Sequence, residues 1–351
     1  MPYARNSVVQ PGLPGIYHCI SRCVRRAWIC GFDRLTNKNY EHRRRWIYRQ
    51  IQWLSGIFGM EILACSVLSN HYHLVLRVNT DIVHSWSDEE VVRRWDQIYS
   101  VRKYFTRMKG ELDDEIMRMA LDKPDLIAEW RSRLCSISWF MKQINEPLAR
   151  SANKEDVCKG RFWEGRFKCQ HLADESAVLA CMVYVDLNPI RAKLAETPET
   201  SDFTSVQDRI VARQAKQGKQ VENPDLDQIQ ESLAEDRGPA HQRADWLTPI
   251  DEIRVGSENQ GWLLKLEEYL ELVDETGRCM KEGKRGAISE DLAPILVRMG
   301  LRESAWLHTA QHFGNRFYRV CGHVHKMMDT AKQVGQRWFQ GMGFSKKVFQ
   351  C

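Results

Sequence analysis

"MEILACSVLSNHYHLVLRV", residues 60 to 78, is rich in strand-forming residues on both sides of Ser69 and Asn70. That pattern predicts two antiparallel strands joined by a tight turn. The second strand opens on His71 and His73. Side chains at i and i+2 of a strand share a face, so the two imidazoles project together while Tyr72 points the other way. They are either half of a metal site or two ordinary surface histidines.

Working outward, "GIYHCISRC" (15–23) also reads as a strand, its start punctuated by Pro11, Gly12, Pro14 and Gly15. Between it and the hairpin, Trp46, Ile47, Ile51, Leu54 and Ile57 recur at helical spacing, with Gly59 as the expected stop. Residues 80–133 are helical in pattern, highly charged and weakly apolar, and read as an insertion. A core helix resumes with Ile137, Phe140, Met141 and Ile144 on one face, and "RFKCQHLA" (166–173) alternates as a further strand. Asp174 can cap the next helix, "ESAVLACMVYVDL", which Pro189 stops. The order β-α-β-β-(insert)-α-β-α predicts an α+β fold, a central antiparallel sheet with flanking helices. Residues 1–210 would form this first domain; the polar, breaker-containing stretch 211–244 reads as a linker and 245–351 as a C-terminal helical domain.

The chain's 351 residues suffice to bury a core without staples, and its eleven cysteines are irregularly spaced with no C-x-x-C pair. Reduced thiols follow, and with no apolar run long enough to span a membrane and no signal-peptide h-region, a soluble cytoplasmic protein is expected. Charge is uneven. Residues 1–60 carry ten Lys and Arg against Asp33 and Glu41, whereas 221–300 carry nine basic and eighteen acidic side chains. The N-terminal part is therefore the candidate for meeting a polyanion, with Arg22 at the end of the first strand and Arg25 and Arg26 just past it as phosphate contacts. A second H-x-H pair, His323 and His325, follows His308 and His312, but no cysteine spacing supports zinc there. Residues 301–351, with eight basic and two acidic side chains, read instead as a basic helical module.

Two histidines need at least one further ligand to make a working metal site. The helix after Asp174 offers Tyr184 and Asn188, four apart and so on one face. Asn188 can give a carbonyl oxygen to a hard cation, and Tyr184 a phenol able to form a covalent intermediate. A tyrosine at a core-facing helical position is more often packing, and Tyr99 and Tyr104 of the insertion are alternative nucleophiles. A tyrosine attacking phosphorus beside a metal would be a phosphodiester nicking site.

"GIYHCISR", "VLSNHYHLVLRV", "GRFWEGRFKCQHL" and "LACMVYVDLNPIRAKL" stand in the order found in REP-associated tyrosine transposases. Over residues 10 to 210 the chain resembles that family, single-tyrosine HUH transposases of the insertion-sequence-200 type. The resemblance implies a ferredoxin-like or RRM-like HUH fold, with His71 and His73 as metal-binding pair, Tyr184 as nucleophile and Asn188 as the polar residue one turn on. It implies cutting and rejoining of single-stranded, hairpin-forming DNA through a 5′-phosphotyrosine with a divalent metal, Mg²⁺ or Mn²⁺, by a monomer or a homodimer. "GRFWEGRFK" supplies Arg161, Arg166 and Lys168 around Phe162 and Trp163, suited to phosphates and stacked bases, although Trp163 equally suits an anchor packed on the core. A catalytically inactive, nucleic-acid-binding regulator on the same fold is the alternative, and a replication initiator or relaxase of the wider HUH class a more remote one.

Overall fold

The structure, a computed structural model, describes residues 13–24, 29, 31–33, 37–218, 239–253, 264–281, 296–297 and 301–349. Strand β1 (Gly15–Arg22) is followed by a two-stranded ribbon, β2 (Phe32–Asp33) with β3 (Lys38–Asn39). Helix α1 (Glu41–Ser55) leads to the hairpin β4 (Met60–Val67) and β5 (His71–Val78), so the histidine pair opens β5. The main sheet has the order β4-β5-β1-β6-β7, where β6 is Lys168–Leu172 and β7 is Val320–Cys321. β1 lies antiparallel between β5 and β6, which is the strand order of a ferredoxin-like α+β fold. β7 adds a fifth strand, parallel to β6.

The sheet separates two cores because its side chains alternate. One face presents Tyr17, Cys19, Tyr72, Leu74 and Leu76 to Ile47, Ile51 and Leu54 of α1 and to Phe140, Met141 and Ile144 of α7 (Ile137–Glu155). The five helices between β5 and α7 belong to this side: α2 (Thr80–Ser85), α3 (Asp88–Ile98), α4 (Val101–Thr106), α5 (Asp114–Leu121) and α6 (Pro124–Leu134). Ser87, Ser100 and Asp113 cap α3, α4 and α5 through their side chains. Although weakly apolar in sequence, these helices bury Val91, Val92, Trp95, Ile116, Ile127 and Trp130, with the indoles of Trp95 and Trp130 stacked at 5.8 Å. Helix α1 ends at Ser55, a turn before Gly59. Gly59 is needed for another reason: a Cβ there would run into Val83 of α2 and the Asn79 carbonyl.

The other face presents Ile16, Ala64, Val75 and Leu172 to α8 (Glu175–Asp186). Asp174 caps α8 as expected, its Oδ1 accepting from the Ala177 amide at 2.9 Å. Every residue of α8 except Glu175 is buried. A helix apolar all round cannot be satisfied by one sheet, so its outer side needs a second cover. The C-terminal segment supplies it with Tyr269, Leu272 and Val273 of α11 (Leu266–Lys281) and Trp306 and Phe313 of α12 (Glu303–Arg316). Burial of each such side chain is worth roughly 1.5–3 kcal/mol. Helices α13 (Val324–Gln333) and α14 (Met342–Val348) complete the segment, which thus shares one core with α8 and lends a strand to the sheet. Helix α10 (Ser205–Lys216) runs into the stretch read as a linker, whose residues 219–238 lie outside the described ones. Among the described residues no helix is long and apolar enough to cross a membrane.

Candidate active site

After Asp186 the chain does not leave the helix direction at Pro189. Leu187 has φ −87° and ψ 0°, and a short helix α9 (Asn188–Arg191) restarts with the proline in its first turn, where no amide is required. The Leu187 and Arg191 amides donate to the carbonyls of Val183 and Leu187, at 3.0 Å each, across the junction. Tyr184, Asn188 and Arg191 therefore keep the i, i+4, i+7 spacing of one helical face and project at the start of β5.

There the structure brings Tyr184 and Asn188 to His71 and His73. The ring centroids of His73 and Tyr184 are 5.5 Å apart and those of His71 and His73 4.8 Å. Asn188 Nδ2 is 2.9 Å from His73 Nε2, and His73 Nδ1 is 2.9 Å from Nε2 of His18 on β1. Arg191 fixes the proton arrangement. Its guanidinium can only donate, and it donates from Nη2 to Asn188 Oδ1 at 2.9 Å and to Tyr184 Oη at 3.0 Å. Asn188 must then donate its amide to His73 Nε2, which leaves the His73 proton on Nδ1, directed at His18. His71 Nδ1 faces Asn70 Oδ1 at 2.6 Å, an acceptor, so it too carries a proton on Nδ1. Both imidazoles of the pair thus hold their lone pairs on Nε2.

Burial keeps these rings neutral. Desolvation holds His18 and His71 down to about 4 and His73 well below the usual range; for His71, the charges of Arg22 and Arg191 act in the same direction. Arg22 stands directly across the β1/β5 ladder from His71. The exposed members of the cluster are Arg22 and Arg191, with His71 half-buried, whereas His73 and Asn188 are buried and Tyr184 is only 6% exposed. The phenol is covered by α12: Phe313 packs at 5.7 Å between ring centroids, and a Cβ on Gly314 would stand 2.6 Å from Oη. Arg191 Nη1 also donates to the Gln311 carbonyl of α12 at 2.6 Å.

Two neutral rings, each with Nδ1 engaged by a second group, suit the imidazole end of a metal site, but the His73 Nε2 lone pair is taken by the Asn188 amide and would ligate only once that hydrogen bond is released. The third expected ligand does not fit in this arrangement, because the Asn188 carbonyl oxygen faces Arg191 and its amide faces His73. Among the described residues no three His, Cys, Asp or Glu side chains converge as a metal-ligating group, the four C-terminal histidines included. His323 is instead tied to the α8 cap, its Nδ1 3.1 Å from Asp174.

Of the expected phosphate contacts, Arg22, Arg161, Arg166 and Lys168 are exposed, while Arg25 and Arg26 lie outside the described residues. The Val24 amide donates to the Phe162 carbonyl and the Glu164 amide to the Arg22 carbonyl, both at 2.9 Å, which lays the 162–164 loop along the end of β1. Its aromatics are not free for stacking on bases. Phe162 is buried, and Trp163 donates from Nε1 to the Asn145 carbonyl at 2.8 Å while packing against Tyr72. The rings of Tyr99 and Tyr104 contact Trp95 and Trp130 of the insertion and Trp139 of α7 rather than the histidines.

Sequence reasoning missed His18, Arg191 and Gly314. The i, i+4, i+7 series from Tyr184 contained the signal for Arg191. His18 required the strand register, which pairs Ile20 with His73 and so places His18 diagonally beside it. Nothing in the sequence linked Gly314 to Tyr184.

No protein-family model matches the chain, and no curated protein matches it. Among solved structures it is similar to a REP-associated tyrosine transposase bound to a REP hairpin, with 12% identity and a TM-score of 0.34 over 60% of this chain and 86% of that one. The likeness is distant.

Neutral, buried histidines predict a fold that loses stability in acid. His171 on β6 is likewise held down to about 4 by desolvation. A depressed histidine contributes stability above its unfolded pKa of roughly 6.5 and loses it as pH falls toward the folded value. Unfolding free energy measured with denaturant should therefore drop between pH 6.5 and 4, by on the order of 3 kcal/mol for His18 alone. Stability flat across that interval would contradict neutral buried rings.

Proposed function

We propose that the chain is a transposase-like endonuclease and strand transferase, acting on single-stranded, hairpin-forming DNA through a phosphotyrosine at Tyr184. The observation that carries the reading is the convergence of Tyr184, His73 and Asn188, with Asn188 Nδ2 2.9 Å from His73 Nε2 and the phenol ring 5.5 Å from the imidazole. The ordered motifs around these residues support it. His71 and His73 would hold Mg²⁺ or Mn²⁺ through Nε2 once the Asn188 amide released His73, with Asn188 contributing its oxygen only if that oxygen turned away from Arg191. The ion, when bound, supplies polarisation of a phosphate oxygen. Tyr184 attacks phosphorus in line, giving a 5′-phosphotyrosine and a free 3′-hydroxyl. The ester retains the phosphodiester's energy, so a 3′-hydroxyl from another strand can reverse the attack without ATP. Arg22, Arg161 and Arg166, all exposed, would follow the DNA backbone.

A second reading, a regulator that binds structured nucleic acid without cutting it, draws on one observation: α12 covers the Tyr184 phenol. One experiment separates the two. Full-length protein is incubated with labelled single-stranded hairpins from the flanks of its own gene, in Mg²⁺, Mn²⁺ or chelator, and resolved on a denaturing gel. A metal-dependent covalent adduct is expected. Tight hairpin binding with no adduct under any metal would leave only the binding protein.

A further inference from the structure

We infer that Arg191 is a catalytic residue of this site: it binds the Tyr184 oxygen as negative charge develops there and offers its remaining donors to an oxygen of the phosphodiester. The inference rests on the nicking reading above and assigns that site the positive group it otherwise lacks beside the phenol.

Three features of Arg191 carry it. First, its guanidinium reaches the reacting atom, with Nη2 3.0 Å from Tyr184 Oη and Cζ 4.4 Å from the centre of the phenol ring. A hydrogen bond from a permanent cation strengthens as its acceptor becomes anionic, which is the differential binding that lowers a barrier. Second, the group is held in place before reaction. Asn188 Oδ1 and the Gln311 carbonyl accept from it at 2.9 and 2.6 Å, so little reorganisation is needed. Third, it is exposed although Tyr184, His73 and Asn188 are buried. Of its five N–H donors, three are engaged by these acceptors, which leaves one on Nη1 and that on Nε. With Arg22 opposite His71 across the ladder, the solvent edge of the site is cationic, the chemistry that receives a phosphodiester.

The step balances without a redox partner. The Tyr184 Oη to phosphorus bond forms as the bond from phosphorus to the 3′-oxygen breaks; the phenol proton passes to water, and the departing 3′-oxygen takes a proton from water. Arg191 takes no proton, since a guanidinium stays charged. In rejoining, the same donor stabilises Tyr184 as the leaving group, so both directions depend on it.

The test uses full-length wild type, Arg191→Lys and Arg191→Ala in the trapping assay, with hairpin affinity and thermal midpoint measured alongside. Arg191→Lys keeps the charge and loses the fork; Arg191→Ala loses both. Adduct formation and rejoining should each slow by about 10²- to 10³-fold in Arg191→Ala, the loss typical of one preorganised donor. Added guanidinium ion should restore part of the Arg191→Ala rate where sodium at equal ionic strength does not, because it can occupy the vacated space beside Oη. Wild-type adduct rates in both variants overturn the inference. So does a slow Arg191→Ala that guanidinium fails to rescue and whose melting point has fallen, since Arg191 would then only staple α12 through Gln311. If wild type itself forms no adduct, the nicking reading has failed, and the inference falls with it.

Discussion

Tyr184→Phe is expected to form no covalent adduct with DNA under any metal while remaining folded and binding hairpins as wild type does. The substitution removes one oxygen and nothing of the ring, which stays wedged between His73 at 5.5 Å and Phe313 at 5.7 Å. What is lost in the fold is the hydrogen bond from Arg191, a charged donor on a half-exposed path, worth roughly 1.5–3 kcal/mol at most. The ring's burial term is retained, so a modest drop in melting temperature is the structural cost. The effect on chemistry is complete by contrast, because a nucleophile cannot be partly removed. An adduct that persists in Tyr184→Phe would move the nucleophile elsewhere, to be located by peptide mapping. Tyr99 and Tyr104, 36% and 62% exposed, would be mapped first, although their rings contact Trp95, Trp130 and Trp139 and not the histidines.

Strand-forming composition, turn signals and the alternation of β5 around its histidines were enough to read the α+β sheet, whereas β4 carries the unbroken apolar run Ile62 to Cys65, buried on both faces and shifted in register between Ile62 and Ala64. The two buried faces follow from the same alternation, with Tyr72 on the α7 side and His71 and His73 on the α8 side. Strand β7 was not legible: Val320 and Cys321 pair only two positions of β6, too short for any pattern to show. The C-terminal segment could be read as helical but not as a cover for α8, although the all-round apolarity of "AVLACMVYV" already required one. At the site, spacing alone gave residues of one element relative to each other. It could not give the meeting of elements, so His18 from β1, Gln311 and Gly314 from α12 appear only in three dimensions. Asn188 is the instructive case. Its residue type suits a cation, yet the adjacent Arg191 claims its oxygen and turns its amide toward His73.

Asp186→Ala should cost about 3–5 kcal/mol of unfolding free energy, a large share of the 5–15 kcal/mol typical of a domain. Asp186 lies two residues after Tyr184, on the far side of the same helix, and is fully buried. Its Oδ1 accepts from Ser205 Oγ at 2.5 Å and its Oδ2 from Tyr269 Oη at 2.5 Å, which joins α8 to α10 and α11. Burial pushes its carboxyl up; the nearby Arg209 charge and these hydroxyls pull the other way. Arg209 is itself buried, held by the Leu63 and Thr248 carbonyls at 2.8 and 3.0 Å. Alanine would leave two buried hydroxyls without their acceptor and remove the carboxyl that lies near the buried Arg209, the costly way to break a buried polar network. Asp186→Asn keeps the shape and an acceptor oxygen, so it should cost distinctly less. Denaturant unfolding of the three proteins at pH 7 reads the difference, and a loss under 1 kcal/mol in Asp186→Ala would mean that the network adds little. The measurement also protects the catalytic test. An Asp186 variant that forms no adduct has lost the helix that presents Tyr184, whereas Tyr184→Phe at near wild-type stability has lost only the oxygen.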